Sequence, residues 1–198
     1  DERFLEQDML TVSLNQDIVA WADTACTYRV PTSGITDQKK SGRCWYFSVL
    51  NILRAEVMSR HGLGHFEFSQ TYGQFWDILE KSNRFLENVI DNRRKPIDSR
   101  MNEWLFKKPI GDGGHFANAA YLISKYGLVP LEVMPEKHSS VDNFRLMTVV
   151  RTSLRRTAMA LRAAEKKDLQ KVKEDGLADI HRILTANLGE PPVEFVWK

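Results

Sequence analysis

The sequence predicts an α+β protein in which this chain is mainly the helical part. Three long segments carry apolar side chains at the spacing of a buried helix face, and a highly charged helical stretch follows them. Only residues 193–197, Val-Glu-Phe-Val-Trp, alternate as a strand does. A lone strand needs partner strands. We therefore expect the sheet to be completed by residues beyond Lys198.

The first predicted helix begins at Cys44 and runs to Arg60. Gly62 follows it, and a glycine at that place commonly ends a helix. The apolar side chains of this segment recur every three or four residues, which predicts that they face inward. They are Trp45, Val49, Ile52, Leu53 and Val57.

Two more helices are predicted further along the chain. The second begins after Ser69, a good N-cap residue, and a polar loop follows it over residues 92–99. Its apolar stripe is Tyr72, Phe75, Trp76, Leu79, Leu86, Val89 and Ile90. The third helix follows a sharp turn at residues 111–114, here called the glycine turn, and ends at Gly127. Its predicted inward residues are Phe116, Ala119, Ala120 and Ile123.

The two ends of the chain differ in character from this middle part. Residues 1–24 read as an amphipathic arm that we expect to be mostly helical. From about Ser140 to Leu188 the chain is highly charged, and we expect two long helices with a break near Gly176.

Composition places the chain among globular proteins that need no membrane. Hydrophobic residues make up 42% and charged residues 27%, and the net charge is +2. So small a charge does not indicate nucleic acid or a membrane as a partner. No apolar run approaches the roughly 20 residues that span a bilayer. Only two cysteines occur, Cys26 and Cys44, which favours a reducing compartment, so we expect a cytoplasmic protein.

Chemistry is indicated by the segment from Asp37 to Ser48, which places a thiol at the first turn of the first helix. Free N–H groups and the positive end of the helix dipole favour a thiolate, the nucleophilic form of cysteine. Acyl transfer also needs donors aimed at the developing oxyanion. The N–H of Cys44 and the side-chain amide of Gln38 can supply two, and Gly42 leaves room for a substrate. The residues predict Cys44 as nucleophile and Gln38 as its catalytic partner.

This segment resembles the nucleophile segment of the papain family, in which a glutamine stands six positions before a Cys-Trp pair. It is more similar to the bleomycin hydrolases, also called aminopeptidases C, because residues 38–45 read Gln-Lys-Lys-Ser-Gly-Arg-Cys-Trp. Further matching motifs follow in the same order, so the resemblance covers the chain from about residue 35 to 198. They lie at residues 66–70, 75–77, 113–114, 125–130 and 189–192.

The resemblance implies a papain-like cysteine peptidase fold. This chain would hold mainly the helical left lobe and a helical insertion, and would end before most of the β-rich right lobe. The implied domains are an N-terminal arm (1–34), the helical lobe with the nucleophile (35–138), the insertion (139–188) and the start of the second lobe (189–198). In the family the insertion helps to build a hexameric barrel, which implies a homo-hexamer for the intact protein.

The resemblance also implies the activity, which is thiol-dependent hydrolysis of peptide bonds by an aminopeptidase, with peptides as substrates and no cofactor or metal. Gly113 and Gly114 would pair with the substrate backbone, and Asp112 of the same turn would also contact the substrate. His115 would flank a side-chain pocket, where the family usually has glutamine, and Trp45 would line the substrate site.

The family's catalytic histidine and asparagine come from its C-terminal half, so we expect this piece alone to be inactive. None of the five histidines stands in the expected context, and no base is assigned; they are His61, His65, His115, His138 and His181. Two alternatives stay open, a non-catalytic papain-like assembly subunit and a nucleic-acid-binding fragment. The second would use the basic residues Arg145, Arg151, Arg155, Arg156, Arg162, Lys166 and Lys167.

Overall fold

The computed structural model describes residues 6–22, 27–28, 30 and 33–197, so Cys26 lies outside the described residues. The chain divides into two compact units, residues 1–31 and 32–198. The described part of the first unit contains two short helices, α1 (Met9–Ser13) and α2 (Gln16–Trp21). A side chain caps each of them, because the carboxylate of Asp8 and the amide oxygen of Asn15 accept hydrogen bonds from the first free N–H groups.

Three helices of the second unit begin and end where local sequence signals predict. Helix α3 spans Cys44–His61 and ends at Gly62, whose φ of 63° is left-handed. Helix α4 spans Gln70–Asn92, and the hydroxyl of its N-cap Ser69 accepts a hydrogen bond from the N–H of Tyr72 at 3.0 Å. After the shorter helix α5 (Arg100–Lys107), which was not predicted, α6 (Phe116–Tyr126) ends at Gly127.

The charged stretch forms two long helices, but its predicted break is wrong. After the short helix α7 (His138–Val141), α8 spans Phe144–Ala163 and α9 spans Leu169–Leu188, with a 3-10 turn at Lys166–Asp168 between them. Gly176 lies buried inside α9. A Cβ built there would stand 2.3 Å from Cγ2 of Thr157, so this glycine allows α8 and α9 to approach closely and does not end a helix.

One hydrophobic core joins α4, α8 and α9. Its buried members include the predicted α4 residues Tyr72, Phe75, Leu86 and Val89, and they pack with residues of the charged stretch such as Leu154, Ile180 and Leu184. A smaller cluster of Tyr46, Val49, Leu50 and Ala119 joins α3 to α6. The lobe and the charged stretch therefore share buried surface.

Three other expectations are wrong in the described residues. Ile52 and Phe116 were expected to face inward but are 67% and 68% exposed. No strand forms among residues 33–197, where the only bridges are isolated ones, Lys40 with Asp142 and Phe68 with Pro130. Residues 193–197 lack a neighbouring strand, and the alternating pattern alone cannot supply the missing backbone hydrogen bonds. None of the described helices is long and apolar enough to cross a membrane.

Candidate active site

The thiol of Cys44 is free and exposed at the first position of α3. No side chain caps this helix; instead, the N–H groups of Tyr46 and Phe47 donate to the carbonyl of Arg43 at 2.9 and 3.0 Å. The N–H of Cys44 donates to no atom of the described residues. An open donor beside an exposed sulfur is the arrangement that acyl transfer needs.

The nucleophile loop, residues 37–43, is held at several points. The hydroxyl of Ser41 donates to the carbonyl of Gln38 at 2.7 Å and accepts from Nε of Arg43 at 2.8 Å. The N–H of Lys40 donates to the carbonyl of Val141 at 3.0 Å, which ties the loop to α7. These bonds fix the backbone on the N-terminal side of the thiol.

The nucleophile loop leaves the acceptor oxygen of the Gln38 side chain without a hydrogen bond. Its Oε1 has no exposed surface and accepts no hydrogen bond from the described residues. An unsatisfied buried acceptor costs about 1–3 kcal/mol. The amide N–H groups of Gln38 donate to no atom of the described residues. The role of Gln38 as oxyanion donor stays a prediction.

An ion pair between a buried arginine and a half-buried carboxylate fixes the residue before the thiol, and sequence reasoning missed it. Arg43 is 3% exposed, and its guanidinium donates to both carboxylate oxygens of Glu136 at 2.9 and 3.0 Å. The same carboxylate accepts from Thr71 and Ser140, at 3.3 and 2.8 Å. The guanidinium also lies 5.1 Å from the ring centroid of Phe47. An arginine between Gly42 and an apolar helix was the one local signal of a buried cation.

Asp112 ties the glycine turn to the nucleophile loop. Its Oδ2 accepts from the N–H of Gly42 at 2.9 Å and from Nδ2 of Asn143 at 3.1 Å. Burial alone would raise the pKa of Asp112, but the hydrogen bonds from Asn143 and Gly42 outweigh burial and lower it. A Cβ on Gly42 would stand 2.6 Å from the Asp112 carboxyl carbon, so glycine is required there. The direct substrate contact of Asp112 stays a prediction.

Trp45 forms the floor of the glycine turn. Its indole Nε1 donates to the carbonyl of Asp112 at 3.0 Å. A Cβ on Gly114 would stand 2.6 Å from Cε2 of the indole, so the turn backbone packs directly on the ring. The structure thus brings Trp45, Asp112, Gly113 and Gly114 together beside Cys44.

The two glycines of the turn are not equivalent. The carbonyl of Gly113 accepts a hydrogen bond from Nζ of Lys81 at 2.8 Å. The N–H and the carbonyl of Gly114 make no hydrogen bond to the described residues. His115 is exposed and ends the turn at the start of α6, where its N–H donates to Oδ1 of Asn118 at 2.9 Å. Gly114 is therefore the glycine with both backbone groups open.

A buried carboxylate stands behind the turn and was also missed. Asp77 pairs with Lys81 one turn further along α4, at 2.6 Å. Burial raises the pKa of Asp77 to about 6, with Lys81 opposing the rise and Asp112 adding to it. The Asp-to-Lys spacing of four was visible in the sequence, but such a pair is common on exposed helix faces.

Part of the basic stretch stabilises the fold. Three arginines of α8 donate to backbone carbonyls at or beyond the C-terminal ends of α4 and α5, where unpaired carbonyls need donors. The bonds run from Arg151 to Ile110, from Arg155 to Phe106 and Lys107, and from Arg162 to Asn92 and Lys95. Within residues 6–22, 27–28, 30 and 33–197, no group of three His, Cys, Asp or Glu residues could hold a metal ion.

Comparison with known proteins gives consistent matches. A family model described as the Peptidase C1-like family matches residues 2–198. Aminopeptidase C of Listeria monocytogenes serovar 1/2a is 43% identical over 171 residues, which cover 85% of this chain and 39% of that protein. Bleomycin hydrolase of Oryctolagus cuniculus is 34% identical over 200 residues, covering 96% of this chain and 72% of that sequence.

Among solved structures, PepW from Lactobacillus rhamnosis matches with a TM-score of 0.91 at 36% identity. The match covers 98% of this chain and 45% of PepW. The chain therefore spans less than half of the length of PepW and of the Listeria relative.

Proposed function

The chain belongs to the Peptidase C1-like family, and from that membership we propose that it carries the nucleophile half of a cysteine aminopeptidase of bleomycin hydrolase type. The matches to aminopeptidase C and bleomycin hydrolase confirm the resemblance on which the sequence-based prediction rested. One observation carries the proposal: an exposed thiol with an open backbone donor stands beside a glycine turn with open backbone groups.

In the proposed reaction the Cys44 thiolate attacks the carbonyl carbon of a peptide bond. The oxyanion receives hydrogen bonds from the N–H of Cys44 and from the amide of Gln38. The C–N bond then breaks, the amine leaves with a proton, and water hydrolyses the resulting thioester to free acid and thiol. The glycine turn would hold the peptide by backbone pairing, and His115 would flank its side chain.

The reaction needs a base to take the thiol proton and a group to orient that base. We propose that a histidine and an asparagine outside residues 1–198 supply them, in a β-rich lobe that these residues do not include. The 198-residue chain alone is then inactive. Cysteine-dependent hydrolysis of aminoacyl amides by this chain at the rate of an enzyme would contradict that.

The remaining proposals concern the domains and the intact assembly. We propose domains at 1–34, 35–138, 139–188 and 189–198, with the third helping to build a cytoplasmic homo-hexamer. Arg151, Arg155 and Arg162 donate hydrogen bonds to backbone carbonyls, so fewer side chains of the basic stretch are free to bind nucleic acid. This favours a structural role for the basic stretch.

The decisive experiment is Cys44→Ser in the full-length protein, assayed on aminoacyl amides. Loss of the nucleophile should lower kcat/KM by about 10³-fold or more. Cys26→Ser makes the same chemical change at the other cysteine of residues 1–198 and should keep wild-type activity. A Cys44 that iodoacetamide does not label at neutral pH, in a protein without hydrolytic activity, would support the non-catalytic assembly subunit instead.

A further inference from the structure

The carbonyl of Gly113 is held by a charged side chain from another helix. Nζ of Lys81 lies 2.8 Å from this oxygen and 2.6 Å from Oδ2 of Asp77. We propose that Lys81 is a positioning residue, which holds the carbonyl of Gly113 and so fixes the orientation of Gly114, the glycine with both backbone groups open, for pairing with the backbone of a peptide in the cleft. This inference rests on the proposed function and adds how its substrate turn is held.

The contact of Lys81 with Asp77 and Gly113, here called the clamp, is anchored on a well-buried helix. Lys81 and Asp77 lie one turn apart on α4, where Phe75, Ile78 and Phe85 are 0%, 1% and 2% exposed. The side chains of the pair are themselves 23% and 9% exposed. A site held by a buried helix keeps its geometry better than one held by a loop.

The same ammonium also contacts the floor of the turn. Nζ of Lys81 lies 5.4 Å from the ring centroid of Trp45, the ring on which Gly114 packs. One cation therefore contacts the carboxylate of Asp77, the carbonyl of Gly113 and the indole. Each of the three limits the positions that the other two can take.

The glycine turn needs such a clamp because its other bonds stop short of the glycines. The carboxylate and the carbonyl of Asp112 are bonded to Gly42, Asn143 and Trp45. Two consecutive glycines follow, and glycine has the greatest backbone freedom of all residues. Small displacements of a binding group weaken productive binding strongly. Loss of Lys81 should therefore weaken the binding of extended peptides before it affects the chemistry of the thiol.

The clamp should depend on pH through Asp77. Burial raises the pKa of this carboxyl to about 6, so it is charged above that pH and neutral below it. A cavity of about 320 Å³ borders the pair and gives water access to it. The ionisable groups that surround Asp77 are Lys81, Glu80 and Arg84 of α4, Tyr46 of α3, Asp112 of the turn and Tyr121 of α6. The ion pair should weaken as the pH falls through about 6.

The test uses Lys81→Met in the 198-residue chain, with circular dichroism to verify folding. Alkylation of Cys44 is followed with two reagents, an N-acylated dipeptidyl chloromethyl ketone that reaches Gly114 and a single-residue chloromethyl ketone that does not. The second-order rate constant of the dipeptidyl reagent, divided by that of the single-residue reagent, should fall about 10-fold because KI of the dipeptidyl reagent rises. Lys81→Arg keeps a donor and should restore most of the ratio.

The matched control is Lys173→Met, which removes the lysine of another ion pair with α4, that to Glu87. It should change the ratio less than twofold. If the wild-type chain is labelled and folded Lys81→Met shows the same ratio, the clamp is overturned but the proposed function is not. A wild-type Cys44 that no reagent labels would overturn both.

A second arm follows the pH dependence, and it also decides the case if Lys81→Met does not fold. KI of the dipeptidyl reagent should rise several-fold as the pH falls from 7 to 5 in the wild-type chain. Asp77→Asn should make KI independent of pH over this range. The same slope in Asp77→Asn would exclude Asp77 as its origin and overturn the clamp.

Discussion

The nucleophile loop and the glycine turn lie side by side but are stabilised in different ways. The loop is fixed by a bidentate ion pair between the buried Arg43 and Glu136 and by backbone bonds of Lys40 to Val141 and Asn143. The turn is held from outside, by Trp45 and Lys81, and keeps both backbone groups of Gly114 open. An attacking atom needs one fixed position, whereas a pairing edge must leave its hydrogen-bonding groups unused until a peptide arrives.

The largest expected effect is the loss of the loop's ion pair. Arg43→Met leaves the Glu136 carboxylate without its cation and should lower the free energy of unfolding by about 3 kcal/mol, measured by urea denaturation. Arg60→Met is the matched control, because Arg60 pairs with Glu56 at an exposed site on α3. The control should lose less than about 1 kcal/mol. Equal losses would mean that the loop is no more firmly held than the surface.

An intermediate effect on stability and labelling is expected in the glycine turn, where substitution of Gly113 and of Gly114 should have different effects. Gly114→Ala places a Cβ against the indole of Trp45, and should cost about 1–3 kcal/mol and slow labelling by the dipeptidyl reagent about 10-fold. Gly113→Ala meets no atom within 4 Å and is the control. Equal sensitivity at both positions would contradict the role assigned to Gly114.

The smallest expected effect is a gain in stability. The pKa of Asp77 is about 6 in the folded chain and near its ordinary 3.8 when unfolded, so the folded state binds the proton more tightly. The free energy of unfolding contributed by this group is therefore highest below pH 3.8 and falls as the pH rises to about 6. Asp77→Asn should gain about 1–2 kcal/mol at pH 7.5 by urea denaturation, and nothing near pH 3.5.

A stable variant with weaker peptide binding at neutral pH would show that the buried carboxylate is kept for function. If Asp77→Asn is instead less stable at pH 7.5, the ion pair with Lys81 contributes more than burial costs. The turn would then be held as firmly as the nucleophile loop.

Sequence reasoning succeeded where the determinants are local. Helices α3, α4 and α6 were predicted because their apolar spacing and their caps, such as Ser69 and Gly62, lie within the helix or next to it. The candidate nucleophile, which stays a prediction, was also identified from neighbours within six positions. The helix α5 has only eight residues, too few for a clear period.

The failures arise where the determinant lies far away along the chain. Gly176 looks like a helix breaker until Thr157 of the packed helix is seen against it. Glu136 is 93 positions from Arg43, and Gly113 is 32 positions from Lys81. No local pattern reports contacts of that separation, so both supports of the site were found only in three dimensions.

The contact between Arg43 and Glu136 also has a consequence for biosynthesis. A ribosome completes the segment around Cys44 long before the carboxylate that neutralises its neighbour has been made. Closing a loop of this length carries a large entropic cost, and contacts between distant positions form late in folding. The sulfur should thus acquire its final placement only after residue 136 has emerged, which delays a competent nucleophile in the nascent polypeptide.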